Sequence, residues 1–159
     1  MTQRSTTSTD DQRRAYGLDS LRACADEWLQ CRSGDTLAAV VCVAVAWPQP
    51  GEGAGPDAAA VSSLMTRLQG LAEGAGMAAR DGDDQLVLFL PAPRTLNHAE
   101  RVTQQLLRGV PADGPAVVAG IAHCPGHGTG FESLLKRARR ALGEAQLEGD
   151  RDYRVYSPL

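Results

Sequence analysis

The segment Thr36 to Trp47, TLAAVVCVAVAW, carries no charged side chain and is apolar after its first residue. Side chains of a β-strand alternate between two faces, so a strand that is apolar on both has to be covered on both. Its density of valine favours a strand over a buried helix. This stretch therefore reads as the centre of a sheet, with helices packed above and below. It is also the longest apolar run in the chain, and it falls well short of the ~20 residues that a membrane span requires.

The remaining sequence supplies the elements such a strand needs. Leu18, Leu21, Ala25, Trp28 and Leu29 recur at three- and four-residue spacings and predict a helix from about Asp11 to Cys31, closed by Ser33-Gly34-Asp35. Pro48 to Pro56 (PQPGEGAGP) excludes helix and central strand. Asp57 then caps a helix to about Gly74, with Val61, Leu64, Met65, Leu68 and Leu71 as its buried stripe. Ala78 to Arg80, the turn Asp81-Gly82-Asp83-Asp84, and Leu86 to Leu90 form a β-hairpin, since Asp-Gly tolerates the positive φ of such turns. A helix from Thr95 to Leu107 follows, then a buried strand from Pro115 to Ala122 and a loop from His123 to Gly130. Phe131 to Leu147 is the last helix, and Tyr153 to Tyr156 the last short strand. The order is α-β-α-β-β-α-β-α-β. It predicts an α/β sandwich with a central mixed sheet of about five strands flanked by helices.

A chain of 159 residues suits one domain. Residues 1–10, polar and rich in Ser and Thr, read as a disordered tail, and residues 11–159 as the domain. The formal net charge of −3 argues against a general nucleic-acid binder. The N-terminus has no apolar signal-peptide core. The four cysteines, Cys24, Cys31, Cys42 and Cys124, lack the paired spacing of a disulfide framework or zinc ribbon, which points to a reducing cytoplasm.

Four stretches carry a family resemblance. Tyr16-Gly17-Leu18-Asp19-Ser20 is similar to T-G-L-P-N. Arg80-Asp81-Gly82-Asp83-Asp84-Gln85-Leu86 is similar to R-x-G-G-D-E-F. Val118-Ala119-Gly120-Ile121-Ala122 is similar to S-I-G-I-A. The helix from Leu134 to Leu142, with Glu148-Gly149 beyond it, is similar to L-L-x-x-A-D-x-A-L-Y-x-A-K-x-x-G. In this order they resemble the GGDEF family, the diguanylate cyclase domains with a palm-like fold. The resemblance spans about Tyr16 to Tyr156.

The resemblance implies a chemistry that this sequence lacks. Family members condense two GTP molecules into cyclic di-GMP, with Mg²⁺ held by two carboxylates, and a hard cation needs oxygen ligands. The family's first-strand motif D-x-D-x-F falls on Val43-Ala44-Val45-Ala46-Trp47, so the ligand position lies at Val43 or Val45. In the hairpin, Gly82 and Asp84 are kept. Asp83 replaces a glycine, Gln85 the glutamate and Leu86 the phenylalanine. The guanine-reading region is reduced to Asp57. The phosphate-contacting lysine aligns with Gln146, and the A-D pair of the last helix with Ala138-Arg139. The R-x-x-D product site becomes Glu73-Gly74-Ala75-Gly76. The expectation is a degenerate GGDEF domain with no catalytic residues, no metal and no cofactor.

Other clusters have plainer readings. Lys136, Arg137, Arg139 and Arg140 form either a solvated basic face or an anionic docking patch. His123, Cys124 and His127 are a candidate metal group, though a Gly/Pro loop normally only connects. Cys24 and Cys31 share one helical face, which suits packing or a dimer contact. Trp28 is expected in the core. The functional expectation is a non-enzymatic bacterial signalling module that binds a protein partner or itself, with no membrane and no nucleic acid. The alternatives are a sensor of GTP or cyclic di-GMP, and an unrelated ferredoxin-like binding domain.

Overall fold

The computed structural model describes residues 17–31, 36–46, 58–72, 76–82, 85–91, 97–110, 116–124, 130–148 and 153–157. Among the described residues, four helices and five strands follow in the expected order: α1 Leu18–Cys31, β1 Ala38–Ala46, α2 Ala58–Ala72, β2 Met77–Arg80, β3 Gln85–Pro91, α3 His98–Arg108, β4 Ala116–Cys124, α4 Phe131–Glu148 and β5 Tyr153–Val155. The sheet order is β2-β3-β1-β4-β5. β1 runs antiparallel to both neighbours, and β4 pairs in parallel with β5.

The all-apolar segment is the central strand because both of its faces are filled. Ala39, Val41, Val43 and Val45 pack with Leu64, Met65 and Leu68 of α2 and Val102 and Leu106 of α3. Ala38, Val40, Cys42 and Ala44 pack on the opposite side with Leu21, Ala25 and Leu29 of α1 and Leu134, Leu135 and Ala138 of α4. The sandwich thus has three layers, with α1 and α4 on one side and α2 and α3 on the other.

Two close fits fix α4. Gly120 lies where α4 crosses β4, and a Cβ there would overlap the backbone of Ala138 and Leu142. At the start of α4, Asp26 of α1 accepts a hydrogen bond from the backbone N–H of Phe131, at 3.1 Å. One of the orphan donors of the helix is thereby satisfied by a side chain 105 residues away. Trp28 is half-buried and meets Phe89 edge-on at 5.8 Å, and Phe89 meets Phe131 at 6.3 Å.

Some boundaries differ from expectation. β4 continues through His123 and Cys124, which the sequence reading placed in a loop. The reason is pairing: His123 lies opposite Ala39 and Cys124 opposite Ala38 of β1, and the long partner strand carries them into the sheet. α3 begins at His98 after Asn97 rather than at Thr95. The predicted tail, the Asp57 cap and the residues Glu73, Gly74 and Ala75 lie outside the described residues.

Candidate functional site

The hairpin of β2 and β3 forms the turn that its Asp-Gly pair predicts. Gly82 has φ of +84°, and the N–H of Asp81 donates to the carbonyl of Gln85 at 2.8 Å. Asp83 and Asp84 lie outside the described residues. The register places Gln85 opposite Ala44 and Leu86 opposite Val43. The turn therefore stands directly beside the part of β1 where the resemblance puts a metal carboxylate.

Val43 is fully buried and Val45 is 3% exposed, both in the apolar layer under α2 and α3. Leu86 is fully buried in the same layer. These side chains offer no oxygen, and a carboxylate placed there would sit among hydrocarbon, a costly arrangement for an unpaired charge. The residues on β1 do not fit a magnesium ion. Among the described residues no group of three or more His, Cys, Asp or Glu side chains is placed to hold a metal.

On the other face, Asp81 is bound to α4 by an ion pair. Its Oδ2 accepts from the guanidinium of Arg139 at 2.5 Å. Beneath lies Cys42, whose thiol is pushed up to about 12, chiefly by burial. The Arg139 charge opposes that shift and the Asp81 charge adds to it. At neutral pH Cys42 is a protonated core side chain with no nucleophilic role.

The four basic residues of α4 divide by direction. Arg139 faces the hairpin. Arg137 lies over the Tyr156 ring, 5.8 Å from its centroid, and donates to the carbonyl of Ser133 at 3.4 Å. Arg140 Nε approaches Glu144 at 3.7 Å, and Glu144 also holds Arg154 at 2.9 Å. Lys136 is exposed. The His–Cys group is divided as well: strand alternation puts Cys124 in the core facing α1 and α4, and His123 on the other face. His127 lies outside the described residues. Cys24 and Cys31 are both exposed on α1.

Sequence reasoning missed three features: the Asp81–Arg139 pair, the Asp26 cap on α4, and a groove of about 620 Å³ at the far edge of the sheet. Their partners are far apart in the chain and obey no local spacing rule.

No protein-family model matches the sequence, and no curated protein does. Solved structures do match. The GGDEF domain of YfiN (TpbB) from Pseudomonas aeruginosa superposes with a TM-score of 0.76 at 18% identity, over 90% of this chain and 97% of that one. The active GGEEF domain of a diguanylate cyclase from Vibrio cholerae gives 0.75 at 11% identity, over 90% and 98%. The GGDEF domain of DgcB from Caulobacter crescentus, solved in complex with c-di-GMP, gives 0.65 at 15% identity, over 87% and 88%. This chain has the fold of GGDEF domains, as its four motifs implied.

Proposed function

We propose that this chain is a non-catalytic GGDEF-fold module of bacterial cyclic di-GMP-related signalling. It acts in the cytoplasm by binding a protein partner or a second copy of itself. The observation that carries this reading is Val43. In the chemistry of the fold's cyclases this strand contributes a metal carboxylate, and here the position is a fully buried valine facing Leu86 across the sheet. Metal-assisted phosphoryl transfer depends on positioned oxygen ligands that neutralise charge, and valine supplies neither. Gln85, which cannot ionise, stands where the signature has a glutamate.

The test is a cyclase assay. The purified chain is incubated with GTP and Mg²⁺, and products are separated by chromatography, with the active Vibrio cholerae domain run in parallel. The expected result is no cyclic di-GMP. Turnover that scales with the concentration of this chain ends the proposal. Thermal unfolding with GTP, GDP and cyclic di-GMP accompanies the assay, and the expected Tm is the same with and without each. A saturable rise with any of them moves the chain to the nucleotide sensors.

A further inference from the structure

At the sheet edge opposite the hairpin, β5 is the last strand among the described residues. Beside it α3 leaves a groove lined by Glu100, Gln104, Leu107 and Arg108 from the helix and by Tyr153, Arg154 and Val155 from the strand. The middle of the groove is set by one contact: Gln104 Nε2 donates to the Tyr153 hydroxyl at 2.8 Å. Arg154 is turned toward α4, where its Nε meets Glu144 at 2.9 Å. Glu100 and Arg108 make no ion pair among the described residues. The groove therefore has an apolar and amide middle, a carboxylate toward one end and a guanidinium toward the other, with an edge strand as one wall.

We infer that this groove docks an extended peptide segment of a partner protein, one that carries a basic and an acidic side chain four residues apart. The spacing follows from geometry. Glu100 and Arg108 are eight residues apart on a helix, a rise of ~12 Å. An extended chain advances ~13 Å in four residues and returns its side chains to the same face. The partner's cation meets Glu100 and its anion meets Arg108. Its backbone adds to β5, since an edge strand is the usual template for such addition. A second copy of this chain, pairing through its own β5 edge, is the competing occupant, and light scattering separates the two.

The inference rests on reading the chain as an interaction module. Its test uses the full chain and two fluorescein-labelled peptides of alternating Val and Thr. One carries Lys and Glu four residues apart on one face, and the other carries Lys at both positions. The Lys/Glu peptide is expected to bind saturably by fluorescence anisotropy and to slow amide exchange at Tyr153 and Val155. Glu100→Gln and Arg108→Gln are each expected to weaken it about fivefold, and Arg108→Glu to reverse the preference toward the Lys/Lys peptide. No binding up to millimolar peptide overturns the inference, as does equal binding by all variants. Light scattering that shows a dimer with amide protection at β5 before peptide is added overturns it in favour of self-association. GTP turnover would end the module reading yet leave the peptide result standing, so the two failures are distinguishable.

Discussion

Replacing Gly120 with alanine is a sharp test of how α4 is seated. Glycine inside a strand costs about 0.5–1 kcal/mol relative to alanine, so with free space Gly120→Ala would stabilise the fold. The space is not free. The new Cβ would overlap the carbonyl oxygen of Ala138 and the amide nitrogen of Leu142, and would stand 2.8 Å from Leu142 Cα, inside the 3.0 Å that real Cβ contacts respect. All three are backbone atoms of one helix, so no side chain can rotate out of the way. α4 has to retreat on the order of 1 Å, loosening its dispersion contacts with β4 and β1. Overpacking of this kind typically costs 1–3 kcal/mol, and a backbone obstruction belongs at the upper end, about 3 kcal/mol. Gly143 on the same helix is the control. A Cβ there meets nothing within 4 Å, so Gly143→Ala should stabilise by about 1 kcal/mol through helix propensity. Urea denaturation of the three proteins, with m-values compared, reads both effects. Gly120→Ala at or above wild-type stability would refute the close seating of α4 on β4.

Asp26→Ala removes the acceptor for Phe131 N–H and should cost about 1 kcal/mol, read by urea midpoint, with Asp26→Asn keeping most of it. The Asp81–Arg139 pair is 26% and 41% exposed on its two sides, so a double-mutant cycle should give a coupling of only about 0.5 kcal/mol, shrinking in 0.5 M salt; a salt-independent coupling of several kcal/mol would contradict that exposure. Cys42 makes stability depend on alkaline pH. Below its ordinary value of 9.0 both folded and unfolded chains keep the proton, so the thiol has no effect. Above 9.0 the unfolded chain ionises first, and stability falls by up to about 1.4 kcal/mol per pH unit until the folded value near 12 is reached. Cys42→Ala should be less stable at pH 8 yet show a shallower decline above pH 9, measured by urea titration at each pH.

The fold was legible because its signals are local and redundant. The unbroken apolarity of Ala38 to Val45 demanded two covered faces, and the stripes of α1, α2 and α4 supplied the cover. The Asp81-Gly82 turn announced the hairpin, and Gly82 adopts the positive φ it predicts. Element ends were less legible. His123 and Cys124 precede a Gly/Pro-rich stretch of sequence and read as part of it, but β1 is long enough to pair them. Within the candidate site, Val43 and Leu86 read as apolar in sequence, and they are buried side by side in the structure.

By itself the amino-acid sequence determined the layered α/β architecture, the central strand, the hairpin turn and the apolar identity of Val43 and Val45 on β1. Periodicity, turn chemistry and side-chain identity are local properties, so each was readable without knowing what lay across the sheet. Only the tertiary structure decided that Arg139 serves the hairpin while Arg137 and Arg140 turn elsewhere, that Asp26 caps a helix 105 residues away, and that α3 and β5 leave a charged groove between them. Those features join residues brought together by sheet order and helix packing, and no spacing along the chain encodes a contact made between distant segments.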